Sequence, residues 1–242
     1  MEYYQYYLMG IILLPALIFA VIAQAKVSST YKKYSKVISQ NSVPANVVAE
    51  RILQKNGIND VVVKKIGGEL TDYYSDKDKT VALSKDIYDS ASVAAIGIAM
   101  HEVGHAIQYA EGYGMIKVRN FMIRVSNISS IVLWPLVIIG LIFNLAVVSG
   151  GVIGNIFLWA GIGFFGFSVI LNLVTLPVEF DASNRAKKVM QNEQLLTKEE
   201  RQGAEKVLNA AALTYVAALI VSIMYLVRFL LVVFLSSNRR RR

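Results

Sequence analysis

The sequence predicts a mainly α membrane protein with a small soluble part, containing a β-hairpin, set between its apolar helices. Three observations predict it. Of the 242 residues, 55% are hydrophobic and the mean hydropathy is +0.48, well above a typical soluble domain. Long apolar stretches occur at 8–25, 128–148, 152–176 and 210–235; the first three have no charge, and each of those three is long enough, or nearly so, to cross a bilayer core. Between the first two, residues 26–127 carry the mixed charged, helical and strand-like patterns of a globular segment.

The first stretch reads as a retained anchor. Ala23-Gln24-Ala25 is shaped like a cleavage site, but Met1-Glu2-Tyr3-Tyr4-Gln5-Tyr6-Tyr7 lacks the positive charge of a signal sequence. Tyrosines suit a membrane interface instead. Residues 26–40, basic and hydroxyl-rich, are expected to be a solvated exit from the membrane. Pro44 can open a helix whose Val47, Val48, Ile52 and Leu53 form an apolar stripe and which stops at Asn56-Gly57.

Val61-Val62-Val63 with Ile66 predicts a strand closed by Gly67-Gly68. Tyr73-Tyr74 and Thr80-Val81-Ala82-Leu83-Ser84 flank the charged turn Asp76-Lys77-Asp78-Lys79 and predict a hairpin. Its exposed strand could pair with an extended peptide, or be a plain sheet edge. Asp89, Ser90 and Ser92 can cap a small-residue, apolar helix that ends near Gly112 and Gly114.

Residues 128–148 and 152–176 are expected to form a helical hairpin, kinked at Pro135 and closely packed through Gly161, Gly163 and Gly166. Neither helix contains an ionisable residue, so nothing points to an ion pathway. Pro177 fits the first turn of a new helix. On that helix Glu179 shares a face with Ala182, Ser183, Ala186 and Met190, whereas Asp181 lies with Asn184, Arg185 and Lys188 and forms a surface-type pair with Arg185. Thr197 can cap a further helix through Glu200. The chain thus divides into an anchor (1–25), a domain carrying the two histidines (26–127), a transmembrane hairpin (128–176), a helix carrying a buried-face acid (177–206), and a C-terminal apolar helix or hairpin with a basic tail (207–242).

Lys26, Lys32, Lys33, Lys36, Lys117, Arg119, Arg124, Arg185, Lys187 and Lys188 flank the apolar segments on what must be one side. The amino terminus and the Ser149-Gly150-Gly151 turn carry no such charge. The bias predicts a multi-pass protein of the cell membrane with 26–127 and 177–206 in the cytoplasm. A single crossing by 210–235, which contains Arg228, would put Arg239-Arg240-Arg241-Arg242 outside against that bias, so an embedded or re-entrant helix pair is expected there. The net charge of +8 has this membrane explanation and does not indicate nucleic acid as a partner. The lipid bilayer is the partner it implies, and oligomeric state is not indicated.

The chemistry concentrates in Met100-His101-Glu102-Val103-Gly104-His105, an H-E-x-x-H pattern that uses both histidines of the chain. Imidazoles four residues apart share one helix face and can reach one metal ion, while the intervening glutamate can hold a water. With no cysteine, no thiolate is available, and the third ligand must be an acid. Glu179 is the first candidate, because a carboxylate on a small apolar face is costly unless something satisfies it. Asp181 is the second, and Glu111, at the helix end, is expected to be solvated. The donor set suits Zn2+ with an open position for water. Glu102 is the expected general base in hydrolysis of a peptide bond by metal-activated water. Arg185, Tyr109, Tyr113 and Tyr215 are all candidates to steady the oxyanion.

Leu70-Thr71-Asp72-Tyr73-Tyr74, Val81-Ala82-Leu83-Ser84, Ile87-Tyr88, Ser92-Val93-Ala94-Ala95-Ile96-Gly97 and His101-Glu102-Val103-Gly104-His105-Ala106-Ile107-Gln108 carry a resemblance over nearly the whole chain. So do Leu176-Pro177-Val178-Glu179-Phe180-Asp181-Ala182-Ser183 and Ala210-Ala211-Ala212-Leu213-Thr214-Tyr215-Val216-Ala217. The chain resembles the membrane-bound neutral zinc metallopeptidases of bacteria, the YugP type, and is distantly similar to the HtpX and Ste24 membrane proteases. In that distant group two transmembrane helices separate H-E-x-x-H from a glutamate ligand, the position of Glu179 here, and an aspartate follows four residues later, where this chain has Ser183. The resemblance implies a helical zincin-type, gluzincin-like metallopeptidase core fused to transmembrane helices. It also implies protein or peptide substrates in or near the membrane, in quality control or processing.

Two other readings compete. In an intramembrane, site-2-type protease the motif would lie inside a transmembrane helix, but the apolar run before His101 is short and Lys85, Asp86 and Asp89 precede it closely. A non-catalytic protein stabilised by zinc would ordinarily use a closed, cysteine-containing site.

Overall fold

The computed structural model describes residues 10–126 and 151–239. The expected crossing at 128–148 with Pro135, the tyrosines at 3–7 and the arginines at 240–242 lie outside them. The described elements are α1 (Leu14–Tyr34), α2 (Ala45–Lys55), β1 (Val62–Ile66), β2 (Tyr73–Ser75), β3 (Thr80–Ser84), α3 (Lys85–Tyr88), α4 (Val93–Ala110), α5 (Gly151–Asn192) and α6 (Lys198–Arg239).

Contacts divide the chain into two compact units, one of 22–116 with 176–214 and the other of the remaining segments. The first is built round a three-stranded sheet of order β1-β3-β2. β3 is central and buried throughout, because Val81, Ala82 and Leu83 give it an apolar side chain on both faces. β2 pairs with it as the expected hairpin, Tyr73 opposite Ala82, and the tight turn puts Lys79 at φ 45°. β1 runs parallel to β3, Val63 opposite Val81; no local signal foretells that pairing. α2 begins after Pro44 and ends at Lys55, two residues ahead of Gly57, whose φ of 71° suits a glycine. Its buried face is Val48, Ala49, Ile52 and Leu53, while Val47 turns outward.

α4 is the centre of this unit. Ser92 caps it by accepting a hydrogen bond from the Ala95 amide at 3.2 Å. The segment before it is clamped by the chain leaving α1: Ser39 N–H donates to the Ala91 carbonyl and Val93 N–H to the Val37 carbonyl. Small residues let neighbours approach α4 on several sides. A Cβ added at Gly97 would meet the Ala204 Cβ at 3.1 Å, and one at Gly104 would meet the Ala182 carbonyl oxygen at 2.5 Å. Ile52, Leu53, Leu83, Ile87, Ile96 and Met100 are fully buried round the helix, each worth roughly 1.5–3 kcal/mol relative to exposure.

In the other unit Phe165 stacks on Tyr225 at 6.2 Å and meets Phe229 at 5.3 Å. A Cβ at Gly161 would fall 2.5 Å from the Phe229 ring, as expected of a packing glycine, whereas Gly163 and Gly166 have no such neighbour among the described residues. Trp159 is 72% exposed, and Ile156, Ile170, Leu173 and Leu230 are exposed with it. By length and composition α1, α5 and α6 are each able to cross a membrane.

α1 runs on through the basic residues to Tyr34 and keeps Tyr31 in the core. Two expectations are corrected. Pro177 does not start a helix but lies inside α5. The lost N–H costs about 3 kcal/mol or more, offset by the unbroken buried face that Val178, Ala182, Ala186 and Met190 continue beyond it. The last apolar stretch is not a pair of helices: α6 is one helix from Lys198 to Arg239. No glycine or proline follows Gly203 in it, so nothing favours a reversal.

Candidate metal centre

Two helices position the candidate ligands, α4 for His101 and His105 and the 176–192 part of α5 for Glu179. Helical spacing puts both imidazoles on one face, with ring centroids 4.8 Å apart. Glu179 Oε2 lies 3.3 Å from His101 Nε2 and 3.5 Å from His105 Nε2, and one donor atom from each of the three lies within 4.8 Å of the others. A tetrahedral zinc with bonds of about 2.0–2.2 Å separates its donors by roughly 3.3–3.5 Å, and the two carboxylate–imidazole separations match that spacing. Glu179 is 3% exposed. A carboxylate so buried needs compensating charge, and both imidazole nitrogens face it.

The far nitrogen of each ring is also held. Ser183 Oγ lies 3.1 Å from His101 Nδ1. His105 Nδ1 is 2.9 Å from Gln108 Oε1. The Gln108 N–H2 donates to the Val178 carbonyl and to Asp181 Oδ2, both at 2.8 Å, which fixes the amide oxygen as an acceptor. His105 must therefore donate from Nδ1 and keep its Nε2 lone pair for the cation side. Gln108 is wholly buried and ties α4 to α5 through two groups, Val178 and Asp181. The H-E-x-x-H motif alone does not reveal its role. The signal in the sequence is a polar residue three positions after His105 on a buried face.

Asp181 is not a ligand candidate here. Its carboxylate takes Gln108 and, at 2.6 Å, Arg185 Nε, so the pair is a junction between helices and not only a surface one. Arg185 also donates to Glu111 and stacks by the Tyr113 ring, 5.9 Å from its centroid. Glu111 is the largely exposed cap of α4. Tyr109 packs its ring on Tyr74 of β2 at 5.3 Å. Tyr215 belongs to the other unit.

Glu102 is 7% exposed. Burial pushes its carboxyl above the usual carboxylate range, against the pull of His101 and His105, and the charges of Glu179 and Asp72 push the same way. For His105 burial disfavours the charged form, but the hydrogen bond to Glu179 and the charge of Glu102 outweigh it, and the imidazole is raised. A cation among the three donors would replace the proton in both balances. α4 is not among the described helices long and apolar enough to cross a membrane.

The family described as "putative neutral zinc metallopeptidase" matches residues 9–234. The chain is 42% identical over 211 residues to a Bacillus subtilis (strain 168) protein named "putative membrane protease YugP", the alignment covering 87% of this chain and 89% of that protein. No solved structure matches the chain significantly.

Proposed function

Because the chain belongs to this neutral zinc metallopeptidase family, we propose that it is a membrane-embedded, zinc-dependent endopeptidase, with His101, His105 and Glu179 as metal ligands and Glu102 as general base. The observation that carries the reading is the convergence of the three donors at 3.3 and 3.5 Å with Glu102 buried beside them. Zinc bound there would acidify a coordinated water and polarise a peptide carbonyl. Glu102 accepts the proton of the attacking water and returns it to the leaving amine. Ser183 and Gln108 hold the two rings in register. β2, a sheet edge whose Tyr74 touches Tyr109 of the motif helix, offers backbone groups to an extended substrate. The charge bias puts the site on the cytoplasmic side of a multi-pass protein, where membrane or membrane-near proteins would be cleaved.

The test is zinc content and casein cleavage by the wild type, Glu102→Gln and Glu179→Ala. Glu102→Gln is expected to keep its zinc and lose cleavage, and Glu179→Ala to lose both. Cleavage by Glu102→Gln at the wild-type rate would remove the proposed base. Full zinc in Glu179→Ala would remove the proposed ligand.

A further inference from the structure

Within the unit of 22–116 and 176–214, α1 and α6 line an open cavity of about 730 Å³, in the size range of ligand sites. Its α1 wall is Lys26, Ser29, Thr30 and Lys33, with the Tyr34 ring beside them. Its α6 wall is Lys206, Asn209, Ala210 and Leu213. Both sets follow the i, i+3, i+4, i+7 spacing of a single helix face. A face turned to another helix is ordinarily apolar; this pair is cationic and hydroxylic, and among the described residues no carboxylate lines the cavity. Lys187 donates to Asn209 Oδ1 at 2.8 Å, which leaves the Asn209 N–H2 as a donor.

The sequence on the two walls changes character at the same place. Lys26 is the first charge after the uncharged run 8–25, and Ala210 opens the apolar run 210–235. The lysines and hydroxyls thus sit where each helix passes from apolar to polar sequence, the depth at which lipid headgroups lie, with Ala210 and Leu213 on the apolar side. We propose that this cavity binds a phosphate-bearing anion, supplied by the headgroup of an anionic phospholipid. Lys26, Lys33 and Lys206 neutralise the phosphate, Thr30 and Asn209 supply hydrogen bonds, and Leu213 lies along the start of an acyl chain.

The full chain, reconstituted in phosphatidylcholine nanodiscs with increasing phosphatidylglycerol, tests this by its thermal midpoint. The wild-type midpoint is expected to rise with phosphatidylglycerol, and Lys26→Gln/Lys33→Gln to lose that rise, its apparent lipid affinity falling roughly fivefold for each lysine removed. Lys32→Gln/Lys36→Gln removes the same charge from the same stretch of chain outside the cavity and is expected to keep the rise. Equal loss in both variants would reduce the effect to diffuse attraction and overturn the site. An equal rise with inorganic phosphate in phosphatidylcholine alone would overturn the lipid as its source. Should the double variant have a lower midpoint in pure phosphatidylcholine, Lys206→Gln alone carries the same test from the other wall.

Discussion

Gly104 lies so close to Ala182 that a methyl group on the glycine would stand 2.5 Å from the Ala182 carbonyl oxygen. The contact falls between the two motif histidines on one helix and beside Glu179 on the other, so it sets the spacing of the three donors. Gly104→Ala gains about 1 kcal/mol of helix propensity, but overpacking costs about 1–3 kcal/mol, and the obstacle is backbone, which cannot rotate aside. The variant is expected to melt at a lower temperature and to bind zinc at least about tenfold more weakly, on the scale of lost ligand support. Gly114→Ala, where nothing lies within 4 Å, is the control expected to match the wild type in both measurements.

Gln108 connects His105 to Val178 and Asp181. Gln108→Ala leaves the His105 Nδ1–H, the Val178 carbonyl and one lone pair of Asp181 without their partner. A zinc titration is expected to show roughly 10–100-fold weaker binding. Gln108→Glu can still accept from His105 but has no N–H for Val178 or Asp181 and faces a second carboxylate. It is therefore expected to be less stable in thermal melts than Gln108→Ala. A glutamate variant with wild-type stability would mean that the amide's donor side is dispensable.

Much of this arrangement is legible in the residues. The two imidazoles share a face because of their spacing alone, and Glu179 stands out because a carboxylate among Ala182, Ser183, Ala186 and Met190 has to be satisfied by something. The strands are legible as β-branched and aromatic runs bounded by turns. What escapes is not local. β1 joins β3 in parallel through tertiary pairing, Arg185 reaches Glu111 across helices, and Gln108 acquires its meaning only when α5 lies against α4. Pro177 misleads because a proline at a helix start and one inside a helix leave the same mark in sequence; only the continuing buried face separates them.

Ser183 holds His101 by a single hydroxyl, 3.1 Å from Nδ1. Ser183→Ala removes that contact without disturbing the backbone junction made by Gln108. Its zinc affinity is expected to fall by roughly tenfold, at the low end of the range for lost support of a ligand ring, and less than in Gln108→Ala. The reverse order in parallel metal titrations would show that His101, not His105, is the ring whose orientation limits binding.

Asp72 supplies a pH dependence away from the metal ligands. Its carboxylate accepts from the Ser84 N–H at 2.7 Å and the Ser84 hydroxyl at 3.0 Å, at the junction of β3 and α3. Burial raises its pKa, and the hydrogen bonds from Ser84 only partly oppose this. The folded state therefore holds the proton more tightly than the unfolded one. The stability that Asp72 contributes is full below the ordinary carboxylate range, about pH 4, and is lost as pH rises through the raised folded value. An asparagine side chain at this position would keep the shape of the protonated acid and its acceptor for Ser84. Asp72→Asn is thus expected to melt with the wild type in acid and above it near neutrality, the gap opening as pH rises through that interval. Melts in the presence of a chelator keep metal loss out of the comparison. A wild type more stable than Asp72→Asn near neutrality would mean that the charged hydrogen bonds to Ser84 outweigh the burial of the carboxylate.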